Sequence, residues 1–352
     1  METEIVQIDE QNIDDRAKEA LQRAGSIIRA GGLVAFPTET VYGLGGDGLN
    51  PDSSRKIYAA KGRPSDNPLI VHVAEMSAVE EIVEEVPEAA YRLAQAFWPG
   101  PLTLIMEKND RVPYETTGGL DTVAIRMPSN KIALELIRQS GGYIAAPSAN
   151  TSGRPSPTLA SHCREDLSGK IEMIIDGGQV GIGLESTIID LTSQTPMVLR
   201  PGFITPKMLS EVLGEVDIDR TIIDSSSTEK PKAPGMKYRH YAPKGQLTIV
   251  QGAQDAVIAY INDRSKEASA KGQRVGVIGT DATADLYRAD VIKSVGTRED
   301  EMTIAHELFK VLREFDEENI DVMFSESFDE SGIGQAIMNR LLKAAGHNIV
   351  VV

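Results

Sequence analysis

The sequence predicts an α/β chain of two domains: an open, twisted mixed sheet with flanking helices, a long linker, and then a small Rossmann-like α/β domain. Three observations carry this prediction. The chain has 352 residues, of which 41% are hydrophobic and 25% charged, enough for a core in each of two domains of the usual ~100–200 residues. Short apolar runs of strand length alternate with stretches of helical spacing. Between residues 201 and 244 the alternation fades into a segment that holds Ser225-Ser226-Ser227 and several prolines, a length of unpatterned chain that is uncommon unless it links or crosses something.

The elements follow in order. Ile13, Ala17, Ala20, Leu21, Ala24, Ile27 and Ile28 keep helical spacing, and Gly31-Gly32 stops that helix. Leu33–Phe36 reads as a short buried strand. Asn50-Pro51 is an N-cap followed by proline at the first helical position, opening a helix through about Ala60. Further strands are read at Leu69–Val73, Leu102–Met106, Val123–Met127, Tyr143–Ala146, Met173–Ile175, Ser186–Leu191 and Met197–Leu199, with helical patterns at 77–97 and 130–139. From Gln246 a second β/α alternation begins. Strands at 247–250, 274–279, 291–295 and 320–324 interleave with helices at 253–269, 301–316 and 333–345. The expected boundaries are 12–205 for the first domain, 206–244 for the linker and 245–352 for the second domain.

Lys plus Arg is 36 and Asp plus Glu is 52, a net charge of −16. That balance speaks against a chain built to grip a nucleic-acid backbone, which needs a basic face. The single cysteine, Cys163, cannot form an internal disulfide or a cysteine-based zinc site, and reads as an ordinary residue on a polar loop or helix. The acidic N-terminal stretch lacks the apolar core of a signal peptide, and no window resembles a membrane span, so a cytoplasmic location is expected.

The motifs are modest one by one. Gly43-Leu44-Gly45-Gly46-Asp47-Gly48 fits G-x-G-x-x-G, but no strand leads directly into it and no acid follows at the required distance, so a flexible glycine loop is the better reading. No phosphate-binding loop with its lysine is present. More informative are the strand ends. Phe36 runs into Pro37-Thr38-Glu39-Thr40, Ala146 into Pro147-Ser148-Ala149-Asn150, Glu185 into Ser186-Thr187, and Leu199 into Arg200-Pro201-Gly202. Hydroxyls and main-chain N–H groups gathered there suit the phosphates and carboxylate of a small ligand, although Ser, Thr and Asn are also good turn formers. Lys61-Gly62-Arg63 puts two cations on one loop, fit for a polyphosphate or simply for solvent. Arg126 lies within an apolar strand and must be paired, with an internal carboxylate or a ligand's. His72, inside Leu69–Val73, reads by itself as a core or edge histidine, and Tyr241 as a packing anchor.

Together these segments resemble a known family. Pro37-Thr38-Glu39-Thr40-Val41-Tyr42-Gly43-Leu44, Lys61-x-Arg63-Pro64, Pro147-Ser148-Ala149-Asn150, Ser152-Gly153, Glu185-Ser186-Thr187 and Leu199-Arg200-Pro201-Gly202 look like the YrdC-type domain. Lys237-Tyr238-Arg239-His240-Tyr241-Ala242-Pro243 and the α/β domain after it look like the longer, two-domain form, the L-threonylcarbamoyl-AMP synthase family. The resemblance implies an enzyme that joins L-threonine, bicarbonate or CO2 and ATP with release of pyrophosphate. Partner enzymes would then transfer the threonylcarbamoyl group to an adenosine beside the tRNA anticodon. It implies a threonine pocket of Thr40, His72, Arg126, Ala146 and Ser186, with Arg126 clamping the carboxylate. It implies ATP binding by Arg63, Asn67, Thr122, Ser148, Ser156, Arg200 and Tyr241, with Lys61 near the phosphates and Lys61 and Arg63, together with Mg²⁺ carried by ATP, offsetting the leaving pyrophosphate. No dedicated metal site, stable nucleic-acid complex or membrane contact is expected. The 206–244 linker is expected to cross the pocket mouth and bring Tyr241 to the nucleotide, with the second domain as a lid. The alternatives are a YrdC-type module that binds RNA without turnover, and carbamoyl transfer from carbamoyl phosphate. A scarcity of stacking aromatics (5%) weakens the first and the lone cysteine weakens the second.

Overall fold

The computed structural model describes residues 2–219 and 240–352, and its chain divides into two compact units. The first holds Met1–Ser152, Ser156–Gly181 and Glu185–Tyr238; the second holds Arg239–Val352 with the short stretches Gly153–Pro155 and Ile182–Leu184.

In the first unit, β1 (Glu4–Gln7) is followed by α1 (Asp15–Arg29), where the Asp14 carboxylate accepts a hydrogen bond from the Ala17 amide. The spacing read from sequence is the buried stripe: Ala17, Ala20, Leu21, Ala24 and Ile28. Then come β2 (Val34–Phe36), β3 (Gly43–Asp47) and α2 (Pro51–Lys61), whose Asn50 cap accepts from the Asp52 amide. Gly62 closes α2 in the left-handed conformation (φ 64°), which reverses the chain between Lys61 and Arg63. The unit continues with β4 (Ile70–His72), α3 (Met76–Glu80), α4 (Glu88–Phe97), β5 (Leu102–Glu107), α5 (Tyr114–Thr117), β6 (Thr122–Arg126), α6 (Lys131–Gln139), β7 (Ile144–Ala146), α7 (Ala160–Leu167), β8 (Met173–Asp176), β9 (Thr187–Asp190), β10 (Met197–Arg200), α8 (Pro206–Leu213) and β11 (Asp217–Ile218). The helical pattern at 77–97 is thus two helices, because Pro87 lacks the N–H a continuous helix needs.

The strands form one mixed sheet ordered β1-β8-β2-β3-β7-β4-β6-β5-β9-β10-β11. Apolar layers cover its faces. Val34, Phe36 and Ile144 pack with α1 and α6; Ala35, Leu44 and Ala145 with α2 and α7; and Val71, Leu104, Ile125 and Ile189 with α3, α4 and α8. Cys163 sits on α7 and is buried in the second of these layers, not on a polar surface.

Three expectations are corrected. Gly43–Asp47 is a central strand and not a flexible loop. A Cβ on Gly45 would lie 2.8 Å from Ile144 Cγ2 and 2.9 Å from Phe36 Cε1, so the glycines are there for close packing between β2 and β7. The first unit also starts before residue 12, since β1 adds to the sheet edge beside β8 with Ile5 paired to Ile174. Part of the expected linker is ordered within the first unit. Thr205 caps α8, and Asp217 and Ile218 pair with Met197 and Val198. The rest of the linker, and the Lys237-Tyr238-Arg239 part of its motif, falls outside the described residues.

The second unit contains β12 (Gln246–Gln251), α9 (Gln254–Ala270), β13 (Val275–Gly279), β14 (Val291–Ser294), α10 (Glu301–Glu317), β15 (Val322–Glu326), α11 (Gly334–Ala344) and β16 (Ile349–Val351). Its sheet runs β14-β13-β15-β12-β16, parallel throughout, as β/α alternation dictates. The last strand, β16, was not read from the sequence.

Candidate active site

One face of the central sheet carries the polar side chains singled out above. In β6 the side chains of Thr122, Ala124 and Arg126 alternate onto it. The register places His72 of β4 and Thr103 of β5 beside Arg126, and Ile70 and Ile105 beside Ala124. Ala146 of β7 lies next to Ile70. Ile70, Ile105, Ala124, Ile188 and Leu199 form a small apolar cluster beneath the polar groups.

Arg126 is only 4% exposed. Its Nη1 donates to Thr40 Oγ1 (2.9 Å) and its Nε to the Gly100 carbonyl (3.4 Å), while Nη2 lies 2.7 Å from the Glu39 carboxylate. The question the sequence left open thus has an answer for the chain by itself: the guanidinium is paired with an internal carboxylate. Thr40 is held in turn by Thr38, whose Oγ1 lies 2.9 Å from Thr40 Oγ1 and donates to the Val41 carbonyl (2.7 Å). Burial pushes the His72 imidazole down to about 3, and the neighbouring Arg126 charge pushes the same way, so this ring is neutral at physiological pH. Ser186 meets Thr103 through their hydroxyls (2.8 Å) and receives hydrogen bonds from Arg200, Nη2 to Oγ (3.1 Å) and Nε to the main-chain carbonyl (3.0 Å). Ser156 donates to the buried Glu185 carboxylate (2.5 Å).

A second group stands toward the other end of the same strands. Thr122 is four positions from Arg126, about 13 Å along the strand. The registers that put Ile70 beside Ala124 and Ala146 bring the segments Asn67-Pro68 and Ser148 to this end. Arg63, turned by Gly62, donates to the Asn67 (3.3 Å) and Pro68 (3.1 Å) carbonyls. Tyr58 donates to the Asn67 carbonyl (3.2 Å), and burial pushes its phenol up to about 12. Lys61 is 2% exposed; its Nζ donates to the Ser148 carbonyl, to the Asn150 carbonyl (2.5 Å) and to Asn150 Oδ1 (3.3 Å). Ser148 Oγ donates to the same Oδ1 (2.5 Å).

The structure therefore gathers Thr40, His72 and Arg126, links Ser186 to Arg200, and joins Lys61 to Ser148. Tyr241 belongs to the second unit, where it is buried with φ 63° and its ring lies 5.0 Å from Phe309 and near Arg340. Sequence reasoning missed Glu39, Thr103, Asn150 and Glu185 as partners. A buried Thr alternating with Leu102 and Leu104 was a legible sign for Thr103; the others depend on contacts remote in sequence. Among the described residues no group of three or more His, Cys, Asp or Glu could hold a metal ion, and no helix is long and apolar enough to cross a membrane.

Fold and site define a two-domain α/β protein whose larger unit gathers buried cationic and hydroxyl side chains on one sheet face, of the YrdC-like class. Comparison with known proteins agrees. A family described as telomere recombination matches residues 26–202, and the C-terminal domain of threonylcarbamoyl-AMP synthase matches residues 204–346. The threonylcarbamoyl-AMP synthases of Pyrococcus abyssi and Bacillus subtilis are 48% and 49% identical, covering 97% and 94% of this chain and 98% and 94% of theirs. The crystal structure of P. abyssi Sua5 complexed with L-threonine superposes with a TM-score of 0.93 at 46% identity, covering 99% of this chain and all of that one. The chain belongs to the threonylcarbamoyl-AMP synthase family and is an enzyme of this type.

Proposed function

We propose that the chain makes L-threonylcarbamoyl-AMP and pyrophosphate from L-threonine, bicarbonate or CO2, and ATP, as the first step of threonylcarbamoyl-adenosine modification of tRNA next to the anticodon. The observation that carries this reading is Arg126, a guanidinium enclosed at the end of β6 by Thr40, Glu39 and the neutral His72. Such a group suits one carboxylate. The L-threonine bound to the 46%-identical P. abyssi protein supports threonine as its owner.

In this reading Thr40, His72, Arg126, Ala146 and Ser186 bind threonine. Arg63, Asn67, Thr122, Ser148, Ser156, Arg200 and Tyr241 bind ATP. The threonine ammonium gives up a proton, and the free amine attacks CO2 and releases a second proton to solvent to give a carbamate. A carbamate oxygen attacks the α-phosphorus, and the bond to pyrophosphate breaks as it leaves. None of these steps needs a covalent enzyme intermediate, so the protein works by positioning and by fixed charge. Neutral His72 adds no second positive charge beside Arg126 to compete for the carboxylate. Lys61 and Arg63 offset the charge of the leaving pyrophosphate. The donors at that end are an ammonium, a guanidinium, hydroxyls and amides, a set that fits phosphates; Mg²⁺ would enter on ATP and take phosphate oxygens, adding charge compensation there. The product passes to the partner enzymes that load tRNA, a route that needs neither a basic surface nor a membrane.

The test is pyrophosphate release together with mass-spectrometric detection of threonylcarbamoyl-AMP. Both should require threonine and bicarbonate. Pyrophosphate release without threonine, or tight salt-sensitive tRNA binding with no turnover, would favour an RNA-binding module instead.

A further inference from the structure

We propose that Glu39 receives the ammonium group of the amino-acid substrate, so that Glu39 and Arg126 together read a zwitterion; this rests on Arg126 being the carboxylate clamp. The Glu39 side chain is 14% exposed and lies 2.7 Å from Arg126 Nη2. Neither of its carboxylate oxygens accepts a hydrogen bond from any described residue, and Nη2 makes none of good geometry either. The rest of the guanidinium is well served, by Thr40 and by Gly100.

A buried ion pair recovers its desolvation only when its remaining lone pairs and protons are also filled. Here they are not. The pair is held by charge alone, on a segment pinned by the Thr38 hydroxyl through Val41 and Thr40. An amino acid supplies what is missing: a carboxylate for Nη2 and, one carbon away, an ammonium with three N–H donors for Glu39. Its two charged groups match the spacing of an adjacent cation and anion. One under-filled internal pair is then exchanged for two charged contacts. A 2-hydroxy acid satisfies Arg126 and leaves the carboxylate unmatched, so Glu39 is a specificity determinant for the amine.

The experiment is calorimetric titration of the full chain, without ATP, against L-threonine and against the 2,3-dihydroxybutanoate in which a hydroxyl replaces the amine. The wild type should prefer threonine. Glu39→Gln should lose at least ~10-fold in threonine affinity, the scale of a hydrogen bond to a charged group, while its affinity for the hydroxy acid stays the same or rises. Glu39→Asp, which keeps the charge and guards against a folding defect in the first variant, should retain the preference for the amine. If Glu39→Gln shifts both ligands by the same factor, or Glu39→Asp binds both alike, Glu39 is only a counter-ion of Arg126 and the proposal fails. If the wild type binds neither ligand, or Arg126→Gln leaves threonine binding untouched, the threonine reading itself fails first.

Discussion

Replacing Arg126 by Gln separates what this side chain does for folding from what it does for a ligand. Its guanidinium is 4% exposed and faces Glu39 at 2.7 Å. Removing it alone strands a buried carboxylate, a change that costs about 3–5 kcal/mol of stability, a large share of the ~5–15 kcal/mol that holds a typical domain together. Threonine binding should fall by about 2–5 kcal/mol, the loss from truncating one partner of a buried charge pair, or roughly 30- to several-thousand-fold. ATP affinity should fall much less, because Arg63, Asn67 and Thr122 stand toward the other end of the strands, although Arg200 reaches the Arg126 end through Ser186. The double variant Glu39→Gln/Arg126→Gln removes the stranded charge as well, so it should recover most of the stability and none of the threonine affinity. Urea unfolding gives the first quantity and calorimetric titration with each ligand gives the second. Equal losses for threonine and ATP in the single variant, or recovery of threonine binding in the double, would show that Arg126 is a scaffold residue.

Other expectations follow from the same geometry. Lys61→Met should lower turnover about 10²–10³-fold, the scale of losing one preorganised charge, with threonine affinity preserved in titrations; a parallel loss of threonine binding would place Lys61 in the fold and not in the chemistry. Gly45→Ala forces a Cβ to within 2.8 Å of Ile144 and 2.9 Å of Phe36 and should cost about 1–3 kcal/mol as overpacking, read by urea unfolding. His72 stays unprotonated in the fold down to about 3, whereas the unfolded chain takes up that proton near pH 6.5. Stability contributed by this site is therefore complete above pH 6.5 and falls toward pH 3, by ~3 kcal/mol at pH 4.5. His72→Asn should flatten that part of the pH profile, and an unchanged profile would mean that the ring is protonated in the folded state.

Much of the scaffold was written locally. Asn50-Pro51 and Gly62 bound α2 because capping is decided by residues within one turn. The apolar runs became strands because a buried strand needs only a few consecutive apolar side chains. The glycine run became β3 against its local appearance: glycine is a poor strand former, and the space between Phe36 and Ile144 that excludes a side chain exists only after β2 and β7 have flanked it. The edge strands β1 and β16 were missed for a related reason, since their alternation is weak where one side faces solvent. In the site, the residues proposed to meet a ligand stand in motifs that are visible in the sequence. Their internal partners were not. Glu39 and Arg126 are joined only by the sheet, and Lys61 reaches residues 87 and 89 positions away.

Lys61 has one more consequence. An ammonium has three protons, and Ser148, the Asn150 carbonyl and Asn150 Oδ1 offer an acceptor for each. Its charge is thus anchored by the chain itself and would act on the phosphates of the proposed nucleotide as a standing field. Direct coordination of a phosphate oxygen would require one of those acceptors to be given up, which would loosen the turn carrying Ser148. Contact at the Lys61 nitrogen and the shape of the loop after β7 are in this way a single variable, and a ligand that draws on one also sets the other.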